Sequence, residues 1–357
     1  MRAKNNGSVA VSYGQRRWAK GLLPALRSCV LGLSILLVLG LIVYPDAALN
    51  WLWYGLVPLL PILFLLSPGL WRHVCPLATL GSLSQGRLKQ RDLSRLTTLR
   101  VNTLGIVLLG LLIPARRFLL NENGLILAFL FIGLGALIIV NSAFYKSKAG
   151  FCNSFCPVLA VEKLYGQEPL IQVERPRCQT CALCTAKGCV DLSPNKAISH
   201  AVGRRPATSY KWMFSSYGVF AGAFPGFMIG YFTIGNVSVQ DAGLVYLHVG
   251  QAALISYISV ALMVFVLKAS WRLVLPILAA ISISIYYWFT VPQLVALFDL
   301  PADVSRMMLT SAIYTMVGFW LGRALHKRVP YSASPTYIQP DVQVSNTSTL
   351  DNAGSSG

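Results

Sequence analysis

Charge is scarce in this chain: only 12% of its 357 residues are Asp, Glu, Lys or Arg, and acids are the rarer sign, 12 against 30 basic residues. A soluble protein of this length carries about 25% charged residues, so a free-standing globular domain does not describe the bulk of it. Several catalytic signatures are also missing. There is no nucleophile elbow, no H-E-x-x-H, no Walker lysine and no glycine-rich phosphate loop, which removes the common hydrolase and nucleotide-binding motifs. No C-x-x-C-H occurs, which removes covalent c-type haem as a motif.

What the chain has is apolar length: 55% of its residues are hydrophobic and the mean hydropathy is +0.60. A membrane-crossing helix needs about 20 consecutive apolar residues. Candidate stretches lie at about 27–44, 51–66, 101–115, 125–143, 212–235, 245–267, 273–291 and 307–321, eight in all. The third is the weakest, with an apolar core of roughly 15 residues or about 22 Å of helix; a re-entrant hairpin of the third and fourth is its alternative. The first is not a cleavable signal peptide, because it starts late and a second apolar stretch follows at once.

The net charge of +18 raises nucleic acid as a partner, but its distribution argues otherwise. With eight crossings and both termini inside, 27 of the 30 Lys and Arg fall in inside segments, leaving Arg116, Arg117 and Arg306 outside. That is the positive-inside pattern of a multi-pass protein, and no nucleic acid is expected. The inner (plasma) membrane of a bacterium, or an internal photosynthetic membrane, is the expected location. The termini and the two large loops face the cytoplasm.

Apart from Cys29, every cysteine falls in those two loops. A reducing compartment disfavours structural disulfides and leaves metal as the use for clustered thiols. Cys178-Gln-Thr-Cys181-Ala-Leu-Cys184 is followed by Cys189, with Pro194 beyond. Cysteines at i, i+3 and i+6 wrap one corner of a cubane, as in the bacterial ferredoxin run C-x2-C-x2-C-x3-C-P. Here the last gap is one residue longer, and three residues of Asp191-Leu192-Ser193 precede Pro194 by position. Zinc usually takes two separated C-x2-C knuckles, which this segment lacks.

A second element is a weak internal repeat. Trp71-Arg-His-Val-Cys75-Pro76 leaves the second apolar stretch, and Cys152-Asn-Ser-Phe-Cys156-Pro157 leaves the fourth, with Cys75 and Cys156 81 residues apart. Proline cannot donate a backbone N–H and helps turn the chain so that the thiol faces inward.

The C-x3-C-P element after a membrane hairpin, together with the ferredoxin-like run, resembles the NosR/NapH group of membrane-bound polyferredoxins over roughly residues 28–200. The resemblance implies electron passage between a quinone pool or cytoplasmic donor and a partner reductase system. Trp71 stands where that pattern places a cysteine, no extramembrane segment is long enough for the flavin domain some members carry, and the last four apolar stretches show no family motif.

The ligand arithmetic stays open. Seven loop cysteines are one short of two four-cysteine sites. In one partition Cys178, Cys181, Cys184 and Cys189 hold one 4Fe–4S cluster, and Cys75, Cys152 and Cys156 hold a second with His73 or an open iron as the fourth position; an interfacial residue is the blander reading of His73, and the favoured one. In the other, ferredoxin logic sends Cys189 to the second site and Cys156 to the first.

Other residues take blander readings. Cys29 reads as a buried small hydrophobe. His248, the one histidine within an apolar stretch, reads as a helix–helix hydrogen-bonding residue in preference to a quinone-protonating group. The stripe Gly218, Gly222, Gly226, Gly230 permits close helix approach, used for packing inside the bundle in preference to homodimerisation. Residues 86–100 interleave basic side chains with leucines and read as an interfacial segment on anionic lipid, with a docking role for an acidic carrier as a further use.

The expected fold is all-α and polytopic, with about eight transmembrane helices and a small ferredoxin-like insert in a cytoplasmic loop. Its divisions are a basic tail (1–26), four helices with a Cys-Pro loop (27–145), the 4Fe–4S segment (146–211), four more helices (212–328) and a disordered tail (329–357). The expected function is one-electron transfer between a soluble ferredoxin- or flavodoxin-like carrier and a quinone or membrane redox complex, as a carrier or subunit and not a stand-alone enzyme. An iron–sulfur redox or iron sensor, or assembly factor, is the alternative. A transporter with a structural metal site is a third.

Overall fold

An apolar chain in lipid must satisfy its own backbone polar groups, and the helix is the local way to do so. The computed structural model describes residues 9–12, 17–84, 95–145, 148–174, 198, 201–202 and 210–326, and these are helical apart from one short pairing. That pairing is parallel, β1 (Val9–Ser12) with β2 (Ile171–Glu174), Val9 opposite Ile171. It ties the N-terminal tail to the chain just before the ferredoxin-like run. Cys178, Cys181, Cys184 and Cys189 lie outside the described residues, as does the tail 329–357.

The first half runs α1 (Arg17–Val43), α2 (Pro45–Asn50), a π-helical segment Trp51–Leu56, α3 (Leu59–Leu66), α4 (Pro68–Val74) and α5 (Pro76–Leu83). Then come α6 (Arg95–Ala115), continuing as a π-helical segment Arg116–Leu120, and α7 (Gly124–Phe144). A π-helical segment Lys148–Phe155 leads into α8 (Leu159–Tyr165). The second half holds α9 (Ser216–Thr233), α10 (Ala242–Leu267), α11 (Trp271–Leu297) and α12 (Ala302–His326).

Six stretches among the described residues are long and apolar enough to cross a membrane: Pro24–Val43, Pro45–Leu66, Thr97–Leu120, Gly124–Phe144, Val239–Leu267 and Trp271–Leu297. The third, expected to be the weakest, has 24 residues, because the helix starts at Arg95 and runs on through Arg116 and Arg117. Within the basic stretch 86–100, residues 95–100 are the first turns of α6; residues 86–94 lie outside the described residues. Helices also occupy the expected fifth and eighth positions, α9 with 18 residues and α12 with 25. Neither joins the six. Four glycines dilute α9, and Thr310, Ser311, Tyr314, Thr315 and Arg323 dilute α12.

The core gathers around α11, whose span is 61% buried. Leu275, Ala279, Ile283 and Tyr287 share one buried cluster there with Trp212, Phe224, Tyr165 and Trp320. A smaller cluster of Leu41, Leu49, Leu52, Leu120 and Leu127 holds the first hairpins together. The spans of α1 and α10 are only 6% and 11% buried, so their apolar faces are turned to the lipid. This corrects one expectation: Cys29 is exposed, not buried. It sits on the outer helix, where a small thiol meets acyl chains instead of protein.

The glycine stripe is used inside the bundle. A Cβ on Gly226 would run into the Ala252 carbonyl and the Ser256 side chain, and one on Gly222 would press on Tyr257. The Ser256 hydroxyl donates to the Gly222 carbonyl at 2.8 Å across the same seam. α9 and α10 therefore lie backbone against backbone.

Candidate functional site

The two Cys-Pro elements adopt a similar plan: a helical turn ends at the cysteine and the proline leads towards the next helix. In the first, Ser67 caps α4 by accepting from the Leu70 N–H at 3.3 Å, with Pro68 in the first helical position. Both are standard helix-start chemistry. Cys75 ends that helix, its N–H donating to the Trp71 carbonyl at 2.8 Å, and Pro76 starts α5. In the second, the Cys156 N–H donates to the Phe151 carbonyl at 3.1 Å, and the turn at Pro157 leads into α8.

Cys75, Cys152 and Cys156 are each partly accessible. Protein surroundings nevertheless dominate their chemistry. Burial pushes the Cys75 thiol up to about 12; the amides of Ala78 and Leu77, at the start of α5, pull the other way, and Cys152 and Glu162 add to the rise. Burial also raises Cys156, with Cys152, Cys75 and Glu162 all adding. The three thiols thus stand within electrostatic reach of one another. Trp71, in the place that Cys152 holds in the other repeat, packs edge-on against Phe64 at 6.0 Å.

Among the described residues, no three His, Cys, Asp or Glu side chains converge tightly enough to hold a metal ion. Single ions draw their ligands onto one point, whereas a cubane spreads its thiolates over different irons. The described cysteines at this end of the bundle are Cys75, Cys152 and Cys156, with backbone amides turned towards the Cys75 sulfur. His73 is not gathered with the cysteines in any such group. Its Nδ1 donates to the Gly69 carbonyl at 2.7 Å, so the lone pair of the neutral ring is on Nε2, the arrangement that orients a ligating imidazole.

Two contacts hold the two turns together, and a third seats the second turn on α6. Arg72 on α4 donates from Nε to Glu162 Oε1 at 2.6 Å and from Nη2 to Oε2 at 3.0 Å, both side chains 5% exposed. A Cβ on Gly166, at the end of α8, would strike Pro68 at the start of α4. Gly105 on α6 lets the carbonyls of Phe155 and Cys156 lie against its Cα. The start of the Pro24–Val43 span of α1 joins the same end, Arg27 Nε donating to the His73 carbonyl at 3.3 Å. So does the end of α12, through Trp320 Nε1 to the Glu168 carbonyl at 2.8 Å.

Sequence reasoning counted Arg72 among the inside charges and passed over Glu162. The available signal was an acid inside the apolar run Val158–Tyr165 of a chain with 12 acids in all.

At the opposite end, Arg117 donates from Nη2 to the Tyr231 carbonyl at 2.9 Å, and Arg116 lies over the Trp53 ring at 3.7 Å. His248 Nε2 is 3.0 Å from Thr233 Oγ1, joining α10 to α9. This is the helix–helix role expected of it.

A cleft of ≈ 300 Å³ opens against Cys156, with Arg100, Thr103, Lys163 and Tyr217 on its walls.

No family model, curated protein or solved structure matches this chain.

Proposed function

We propose that this chain is a membrane-bound iron–sulfur electron-transfer protein of eight crossings, with both termini and the Cys-Pro turns on the cytoplasmic side. The observation that carries the reading is the pairing of two helix–Cys–Pro–helix turns at one end of the bundle, with Cys75, Cys152 and Cys156 within electrostatic reach of one another. Two features support the even number of crossings: the start of α1 and the end of α12 both bond to that end.

In one partition Cys75, Cys152 and Cys156 would hold a 4Fe–4S cluster with His73 or an open iron in the fourth position, and Cys178, Cys181, Cys184 and Cys189 would hold another. In the other, Cys189 would join Cys75 and Cys152, and Cys156 would complete the site of Cys178, Cys181 and Cys184. When bound, such clusters supply a one-electron couple whose potential follows burial, charge and hydrogen bonds to sulfur. The chain's own part is positional. Pro76 and Pro157 fix where the thiols emerge, the amides of Leu77 and Ala78 offer partial positive charge to Cys75, and the Arg72–Glu162 pair keeps the two turns in register. Electrons would pass between a soluble ferredoxin- or flavodoxin-like carrier and a quinone or membrane redox complex, the role the NosR/NapH resemblance implies.

A sensor or assembly factor is the second reading, favoured by a site of three thiols with no fourth cysteine beside them among the described residues. The test is iron and acid-labile sulfide per chain in anaerobically purified protein, with EPR after dithionite reduction. About eight irons and two reduced-cluster signals support the two-cluster wire. About four irons favour the sensor, and zinc in place of iron overturns both.

A further inference from the structure

The chain leading from α8 towards the cysteine run is fastened in steps. A Cβ on Gly166 would strike Pro68, so the backbone there lies against the start of α4. The Glu168 carbonyl accepts from Trp320 Nε1 at 2.8 Å and the Pro169 carbonyl from Arg323 Nη2 at 3.3 Å, both on α12. The Leu170 N–H donates to the Leu65 carbonyl at 3.3 Å. Beyond that point the fastening changes kind. Ile171 is 40% exposed, so its side chain is no core anchor, and Ile171–Glu174 pair through their backbone with Val9–Ser12 of the tail. The return of the run differs: Ile198 and Val202 are buried in the main core. The entry is held by the N-terminus and the return by the bundle.

Two properties make the pairing reversible. The sheet has only two strands, and an isolated pair of strands is marginal in water, with parallel pairing slightly the weaker kind. One strand is also a chain terminus, which stays ordered only where it is tied down. Its position gives the pairing a consequence. β2 packs against α4, the helix that ends at Cys75. Glu174 precedes Cys178 by four residues, a reach of about 14 Å at most in extended chain. Holding β2 therefore limits how far that cysteine stands from the Cys75 turn.

We propose that the N-terminal tail is a detachable strap. Paired with Ile171–Glu174, it keeps the entry to the cysteine run against α4; unpaired, it frees that entry to move away from the Cys75 turn. A wider gap slows electron exchange between the two cysteine sites and opens them to water. The strap itself rests on the strand pairing, and its effect on the cysteines rests on the electron-transfer reading.

The test is hydrogen–deuterium exchange of the full chain in detergent, read at Ile171–Glu174, beside the rate at which a soluble iron chelator strips the anaerobic protein. Along a strand, alternate residues turn their N–H groups to the partner, and proline removes that donor. Val9→Pro/Val11→Pro and Ala10→Pro/Ser12→Pro therefore remove opposite sets. One double variant should exchange at Ile171–Glu174 about tenfold faster than the parent and lose iron faster too. The other, with its prolines on the outward edge where a strand tolerates them, should stay close to the parent. Unchanged thermal unfolding in both checks that the bundle is intact. Exchange at the parental rate in both variants would overturn the strap, and fast exchange with unchanged iron loss would overturn its hold on the cysteines. A parent chain without iron would instead contradict the electron-transfer reading, and the exchange rates would still decide the strap.

Discussion

Arg72 and Glu162 face each other as a two-pronged ion pair, 2.6 Å at the closer contact and almost wholly shielded from solvent, and they join the two Cys-Pro turns. Removing one partner of a buried pair strands the other charge and costs about 3–5 kcal/mol. Arg72→Met or Glu162→Gln should therefore lower the unfolding temperature in detergent and reduce bound iron. The double variant Arg72→Met/Glu162→Leu should recover much of the stability, since no charge is left behind. Single variants as stable as the parent would show that the pair does not hold the turns.

Gly226 and Gly250 give a matched comparison on the two faces of one helix pair. A Cβ on Gly226 collides with the α10 backbone, while one on Gly250 meets nothing within 4 Å. Overpacking of this kind costs about 1–3 kcal/mol or more. Gly226→Ala should destabilise the protein in denaturant titrations, and Gly250→Ala should be neutral or slightly stabilising through helix propensity. Equal effects would contradict the close α9–α10 seam.

Thr233 and His248 form a single interhelical contact at 3.0 Å. Such bonds average about 0.6 kcal/mol in membrane proteins. Thr233→Val should cost about that much, and His248→Leu should leave cluster reduction by dithionite and reoxidation by a quinone unchanged. A large loss of reoxidation rate in His248→Leu would give this residue a redox role.

The cysteines should separate by position. Cys75→Ser should remove about half of the iron if two clusters are present, measured as iron and sulfide per chain. Cys29→Ser, on the lipid-facing side of α1, should remove none. Equal iron in both variants would take Cys75 out of the ligand set.

Much of the helical plan was legible in advance because membrane helices announce themselves by length and charge. Both Cys-Pro turns were legible too, since proline after cysteine marks where a helix must break. Helix ends were less so: Thr97–Leu120 includes Arg116 and Arg117, whose guanidinium groups find partners in Trp53 and the Tyr231 carbonyl, so an apolar window stops too early. Cys29 was misjudged because hydropathy says that a segment is apolar and not whether lipid or protein covers it. The Arg72–Glu162 pair was missed because the residues are 90 apart in sequence, and only the folding of one hairpin onto the other brings them together. The tail's pairing with Ile171–Glu174 was hidden for the same reason.

The most direct measurement of the central claim uses the variant in which Cys178, Cys181 and Cys184 are all replaced by Ser. It keeps Cys75, Cys152, Cys156 and Cys189, and so every cysteine of the second site in either partition. Purified anaerobically, it should retain about four irons with matching sulfide and give one reduced-cluster EPR signal. A folded variant with no iron would contradict a cluster held by the Cys-Pro turns.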